Sequence, residues 1–179
     1  MQWLNEPAYY SIVDEKITVR TSPTTDFWRV THYDFIRDNG HFYFNSIETD
    51  FIAEVKISGN YKDQYDQAGI MIRIDQNNWI KTGIEYVDNT QQLSAVVTRD
   101  YSDWSVSPLE VLPRPLYLRV ERRSEAIRIS YSGTGSEYTL LRLAYFPVVP
   151  RLQVGLMCAS PDGEGYEVVF ENYQVKPVV

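Results

Sequence analysis

Basic charge, cysteine and histidine are all scarce in this chain. Seventeen Lys and Arg stand against 24 Asp and Glu, a net charge of −7 over 179 residues. That balance opposes binding to nucleic acid and to anionic membranes, because both need positive patches that release counterions or meet a negative surface. Cys158 is the one cysteine, so no intrachain disulfide forms. It shares strand parity with Leu152, Val154 and Leu156, which predicts a buried thiol acting as a small apolar side chain. The two histidines, His32 and His41, do not compose a structural zinc site with one buried thiol. Neither a metal nor a cofactor is therefore expected. Asp75-Gln76-Asn77 opens like a calcium loop, yet Ile80 and Tyr86 stand where such a loop needs glycine and a bidentate glutamate. No Gly-x-Ser-x-Gly turn and no phosphate-cradling glycine loop occurs. No apolar run approaches the roughly 20 residues of a membrane helix. Met1 to Tyr10 holds no basic region followed by an apolar run, which predicts a soluble cytoplasmic protein.

Apolar and aromatic residues are plentiful, at 44% and 14% of the chain, and their spacing is regular. This length and composition predict a single domain over residues 1–179. Period-two segments recur from Lys16 through Tyr173, and no helical apolar stripe lasts three turns. Strands are predicted at Lys16–Thr21, Phe27–Thr31, His41–Phe44, Phe51–Ser58, Gln67–Asp75, Trp79–Val87 and Gln92–Arg99. Further strands are predicted at Leu116–Arg122, Ala126–Ser132, Glu137–Leu143, Arg151–Ala159 and Tyr166–Gln174, and Asp100–Pro115 is read as a long loop. A dozen short strands imply an all-β protein of two packed antiparallel sheets, since one open sheet that wide leaves an apolar face uncovered.

Three central segments carry the candidate site. Ala68, Ile70, Ile72 and Ile74 alternate with Gln67, Gly69, Met71 and Arg73; Ile80, Ile84 and Tyr86 alternate with Trp79, Lys81, Gly83 and Glu85. Leu93, Ala95 and Val97 alternate with Ser94, Val96 and Thr98. One face feeds a core, and the other is expected to be open to a ligand. A Gln76-Asn77-Asn78 loop sets Arg73 opposite Lys81, Met71 opposite Gly83 and Gly69 opposite Glu85; an Asp88–Gln91 loop sets Glu85 opposite Ser94 and Lys81 opposite Thr98. Arg73 opposite Lys81 is then a like-charge conflict, offset by Asp66, Asp75 or Asp100, or by a ligand. Gly69 and Gly83 leave bare backbone, which marks either close approach by a ligand or local strand geometry. Trp79 and Trp104 are candidates to stack a sugar ring. His32, Tyr33, His41 and Tyr43 are candidates for the rim. The expected ligand-binding set is thus Gln67, Gly69, Arg73, Trp79, Lys81, Gly83, Glu85, Thr98, Trp104 and His32.

Several ordered strings carry a family resemblance: Thr25-Asp26-Phe27-Trp28-Arg29, Thr31-His32-Tyr33, Asp38-Asn39-Gly40-His41, Tyr65-Asp66-Gln67-Ala68-Gly69, Asn78-Trp79-Ile80-Lys81 and Gly83-Ile84-Glu85-Tyr86. Val96-Val97-Thr98-Arg99, Ser102-Asp103-Trp104-Ser105 and Ala159-Ser160-Pro161 continue the set. Together, over Trp3 to Phe170, the chain resembles a domain family of unknown function that includes the fungal regulation-of-enolase protein. The resemblance implies a concanavalin A-like lectin/glucanase jelly-roll sandwich, an architecture that hosts lectins, glycosidases and interaction modules alike. Glycosidases similar in fold place their acids as Glu-x-Asp-x-Glu or Glu-x-Asp-x-x-Glu on one strand, and this chain has neither. Glu167 and Glu171 share a face but stand roughly 13 Å apart by strand rise, beyond the reach of a hydrolytic pair. The leading expectation is a lectin-like module binding a carbohydrate. The alternatives are a glycoside hydrolase or lyase using Glu85 with Asp66, Asp100 or Asp103, and an intracellular regulatory module with a protein partner.

Overall fold

The computed structural model describes residues 1–108 and 115–178. Its strands run in chain order as β1 (Gln2–Leu4), β2 (Tyr9–Val13), β3 (Lys16–Arg20), β4 (Phe27–Arg29), β5 (Ile36–Asp38) and β6 (His41–Ile47). The middle of the chain supplies β7 (Asp50–Gly59), β8 (Gln67–Asp75), β9 (Asn78–Val87), β10 (Thr90–Arg99) and β11 (Tyr101–Ser107). Then follow β12 (Leu116–Arg123), β13 (Ala126–Ser132), β14 (Thr139–Tyr145), β15 (Leu152–Ala159) and β16 (Glu167–Val178). Among the described residues no helix is long and apolar enough to cross a membrane.

The strands form two antiparallel seven-stranded sheets and one small hairpin. The first sheet has the order β1-β6-β15-β8-β9-β10-β11, the second β14-β13-β12-β7-β16-β3-β2, and β4 pairs only with β5. Alternation builds the core between the sheets. Ile70 and Ile72 of β8, Ile80 and Ile84 of β9, and Leu93 of β10 meet Phe51 and Val55 of β7, Leu118 of β12 and Phe170 of β16, all buried. Cys158 lies in this core, and burial pushes its thiol far above the usual range, so it stays an uncharged packing group.

The central registers differ from those expected by two residues, through a shorter turn between β9 and β10 and through a shorter turn plus a bulge between β8 and β9. Asp88 and Asn89 have φ of 51° and 62°, the left-handed pair of a two-residue type I′ turn, and β9 and β10 therefore pair from Val87 with Thr90. Between β8 and β9, the Asp75 carboxylate accepts the backbone N–H groups of Asn77 (2.7 Å) and Asn78 (2.9 Å), closing a turn next to a bulge at Arg73/Asp75. Arg73 consequently faces Trp79, Met71 faces Lys81, Gly69 faces Gly83 and Gln67 faces Glu85; on the other side, Glu85 faces Gln92 and Lys81 faces Val96. The expected Arg73/Lys81 conflict does not exist.

Asp100–Pro115 is not one loop. Tyr101–Ser107 is β11, an edge strand paired along β10, while residues 109–114 lie outside the described residues. Its residues Tyr-Ser-Asp-Trp-Ser-Val-Ser carry too few apolar positions to read as a strand, because an edge strand has little core to face. Phe27–Thr31 likewise divides into β4 and a tight loop, with β5 returning beside it.

The larger correction concerns the face expected to be open. A strap from Ser22 to Gly40, containing the β4–β5 hairpin, crosses it and makes a second apolar cluster of Phe27, Trp28, Phe42, Met71, Trp79, Val96 and Met157. The strap is held at both ends. Thr25 N–H donates to the Ser160 carbonyl at 3.1 Å, and Asn5 Nδ2 donates to the Asp38 and Gly40 carbonyls at 2.8 and 2.9 Å. The Phe27 ring lies where a Cβ on Gly40 would fall, 2.4 Å away, so glycine there lets the strap pack flat.

Candidate functional site

The strap does not cover the whole face. Beside it remains a cleft open to solvent, lined by both sheet and strap. Its polar floor is Gln67 of β8, Lys81 and Glu85 of β9, and Asp26 from the strap. Aromatic walls come from Trp28, Tyr33 and Phe35 on the strap, Tyr65 from the approach to β8, and Trp104 of β11. Arg37, Pro161 and Asp162 complete the lining.

Two sets of hydrogen bonds order the floor, one around Asp26 and one around Glu85. Lys81 Nζ donates to Asp26 Oδ1 at 3.2 Å and to the Phe27 carbonyl at 2.7 Å, tying β9 to the strap. Gln67 Nε2 donates to the same Asp26 oxygen at 3.3 Å and to the Tyr65 carbonyl at 3.1 Å. Asp26 Oδ1 also accepts the Phe27 N–H, so one oxygen takes three donors. Glu85 Oε2 accepts Ser94 Oγ–H at 2.5 Å and Trp104 Nε1–H at 2.8 Å. Burial pushes the Glu85 carboxyl above its usual range, with Asp26 adding to the rise, against the opposing effects of Lys81 and the two hydrogen bonds.

Each floor group keeps unused hydrogen-bonding capacity. Among the described residues, Glu85 Oε1 and Asp26 Oδ2 receive no hydrogen bond, and Lys81 uses two of its three donors. The walls are ordered by ring contacts. Tyr33 stacks on Phe35 with centroids 5.5 Å apart, Tyr65 meets Trp104 edge-on at 6.2 Å, and the Tyr33 and Tyr65 hydroxyls are 2.9 Å apart. That hydroxyl contact is the main reason the Tyr33 phenol is pushed up to about 12. The loop bearing Tyr33 holds Val30, His32 and Asp34 at φ of 62°, 68° and 55°, and a β-branched residue in that region is strained. Such strain clusters at ligand clamps.

Four of the expected site residues, Gln67, Lys81, Glu85 and Trp104, come together in the cleft. The others serve the fold. Trp79 is 1% exposed and packs edge-on against Phe27, so no sugar can stack on it. Arg73 is bound in the fork geometry by Asp38, at 2.6 and 2.8 Å, a partner outside the three acids expected. Gly69 and Gly83 face each other across β8 and β9, where a Cβ on Gly69 would stand 1.7 Å from the Thr82 carbonyl oxygen. Their smallness lets two strands approach, and they do not floor a ligand site. Thr98 is fully buried and shares a hydrogen bond with Ser102, whose hydroxyl accepts the Arg29 N–H and so anchors the strap. His32 is exposed and meets Tyr33 edge-on at 4.8 Å without lining the cleft. His41 is buried, its Nε2 accepting Ser22 N–H and its Nδ1–H donating to Asn5, and Tyr43 packs with Trp3 on the core side.

The acids expected to pair with Glu85 in hydrolysis lie elsewhere. Asp66 is fully buried and takes Ser160 Oγ–H and two backbone N–H groups. Asp100 and Asp103 lie outside the cleft lining, with Asp103 beside Arg142. Glu171 pairs with Lys56 on the outer face of the second sheet, as a solvated position would.

Residues 3–178 match the family described as Protein of unknown function (DUF1349). The chain belongs to that family. A member-level likeness is to "Regulation of enolase protein 1" of Saccharomyces cerevisiae, 40% identical over 97% of this chain and 87% of that protein. The crystal structure of a functionally unknown protein from Saccharomyces cerevisiae superposes with TM-score 0.95 and 39% identity, over 99% of this chain and 96% of that one. A GH43 protein from Bacillus licheniformis reaches TM-score 0.74 at 15% identity, over 97% of this chain and 36% of that one. The carbohydrate binding module CBM66 from Bacillus subtilis reaches 0.61 at 15%, over 97% and 94%. At those last identities the likeness carries the fold, which is the concanavalin A-like sandwich expected.

Asp26, Trp28, Phe35, Arg37, Tyr65, Pro161 and Asp162 were not anticipated as site residues. The DUF1349 strings quoted above contain Asp26, Trp28, Tyr65 and Pro161, so these positions were marked in the sequence without being assigned to the cleft. Nothing local in the sequence marks Phe35 or Arg37, which reach the cleft only because β5 returns along β4.

Proposed function

We propose that this protein binds a small carbohydrate, without cleaving it, in the cleft between the strap and β8–β9. The observation that carries this reading is the floor itself: Asp26, Lys81 and Glu85 are buried, held in place by protein hydrogen bonds, and each retains a free donor or acceptor beneath aromatic walls. Sugar recognition needs that combination, because ring faces pack on aromatics while hydroxyls require fixed polar partners. A structural neighbour being a carbohydrate binding module agrees with this reading. Binding is favoured over hydrolysis because Asp26, the carboxylate sharing the floor with Glu85, is engaged as the counter-ion of Lys81. A glycan array with thermal-shift titration tests the proposal. Binding lost in Trp104→Ala and Gln67→Ala and kept in Ser107→Ala supports it, and silence towards every sugar overturns it.

A protein partner is the second reading. The yeast relative is named for regulation, and edge strand β2 exposes Tyr9 at 73% and Val13 at 62% with no neighbouring strand on one side among the described residues. Capture of a partner that is lost in Tyr9→Lys/Val13→Lys and kept in Trp104→Ala supports this surface; capture unaffected by both substitutions removes it.

A further inference from the structure

Glu85 is the one floor charge without a direct ion-pair partner among the described residues, although the nearby Lys81 favours its ionised form. Asp26 and Lys81 neutralise each other at 3.2 Å. Glu85 is 5% exposed and forms no ion pair among the described residues; its partners, Ser94 and Trp104, are neutral donors, and both bind Oε2. A glutamine carbonyl would accept those same two hydrogen bonds and bury no charge. The carboxylate is therefore more than those two contacts require, its other oxygen accepts no hydrogen bond among the described residues, and Glu85 lines the cleft. A buried carboxylate without a cation is costly, and the cost is relieved when a cation arrives.

The walls favour the same kind of visitor. Trp28, Tyr33 and Trp104 present aromatic surface around Glu85, and a cation near such surface is attracted by the ring quadrupole. The rim already holds one cation this way: the Arg37 guanidinium lies 4.5 Å from the Phe35 ring centroid while donating to the Pro161 carbonyl. Asp162 stands in the same lining and offsets Arg37, so Glu85 sets the sign of the interior.

Building on the carbohydrate reading, we propose that the ligand is an amino sugar, whose protonated amine meets Glu85 Oε1 while its hydroxyls engage Lys81, Asp26 and Gln67. The amine supplies the charge that the protein withholds, and the ring supplies the surface that the aromatic walls accept. No covalent step is involved.

The test titrates the full chain by calorimetry and tryptophan fluorescence with glucosamine, galactosamine and mannosamine. Each is compared with its neutral parent sugar and its N-acetyl derivative, and ethanolamine serves as an amine without a ring. At least one amino sugar is expected to bind about ten-fold more tightly than its parent and its N-acetyl form, the factor a charge-assisted hydrogen bond supplies. In Glu85→Gln that ratio is expected to fall to about one. The charged and titratable groups facing Glu85, Lys81, Asp26 and Tyr33, are present in both variants, so their contribution cancels in the comparison. Equal affinity for amino sugar and parent overturns the amine and leaves the carbohydrate reading standing. Binding of ethanolamine as tight as any amino sugar, with no neutral sugar bound, keeps the amine and removes the carbohydrate. No binding of any probe overturns both.

Discussion

Lys81 of β9 reaches through the covered face of its sheet to Asp26 of the strap, Nζ to Oδ1 3.2 Å, and to the Phe27 carbonyl one residue on. The contact is at once a tie between two layers and the floor of the cleft. Lys81→Met leaves Asp26 buried without a cation, and Asp26→Asn leaves Lys81 buried without an anion. Each is expected to cost about 3–5 kcal/mol in chemical denaturation, and the double variant less than the sum of the two. Additive losses would mean that the two side chains do not act as a pair.

Trp79 and Trp104 separate stability from binding. Trp79 fills the cluster under the strap, so Trp79→Ala is expected to cost about 3–5 kcal/mol. Trp104 is half-buried and lines the cleft, so Trp104→Ala is expected to lose ligand with a smaller change in melting temperature. Melting curves and ligand titrations on the two variants, side by side, check the division.

Glu85→Gln is expected to stabilise the free protein at neutral pH. Burial raises the folded carboxyl above the usual value of 4.5, so its favourable contribution is complete below that value and is lost as pH rises through the folded pKa. Removing the charge removes the loss. Melting temperatures of the two proteins should therefore diverge as pH rises, with the variant above. An identical pH dependence would show that Glu85 carries no such penalty.

His41 acts in the opposite direction. Burial lowers its pKa below 6.5, and its two ring nitrogens are committed as one acceptor and one donor, which requires the neutral ring. The unfolded state takes up the proton first, so stability is present above pH about 6.5 and declines as pH falls through the lowered folded value. NMR titration should find the ring titrating below the ordinary histidine value of 6.5. A slope of stability against pH below 6.5 that is unchanged in His41→Gln would assign the decline to other groups.

Much of the fold was legible because its signals are short in range. Alternation of Ala68, Ile70 and Ile72 with Gly69 and Met71 marks β8 on its own, whatever lies across the core. Register was less legible, since it hangs on turn length: the Asp88-Asn89 dipeptide is a type I′ signal, and giving the turn four residues moved Lys81 and Glu85 two places along β10. The parity of every side chain survived that shift, which is why Gln67, Lys81 and Glu85 still fall on the site face.

What the amino-acid sequence determined by itself was the two-sided character of the central strands and the presence of polar groups on one side. Only the tertiary structure decided how that side is used. Trp79, Arg73 and Thr98 have the same strand parity as their cleft-lining neighbours, yet the Ser22–Gly40 strap lies over them and turns them into packing, an ion pair and an anchor. Period-two patterning says which face a side chain takes. It does not say what a segment 35 or more residues earlier in the chain will lay over that face, because coverage is set by distant contacts such as Arg73 with Asp38, Lys81 with Asp26 and Ser102 with Arg29.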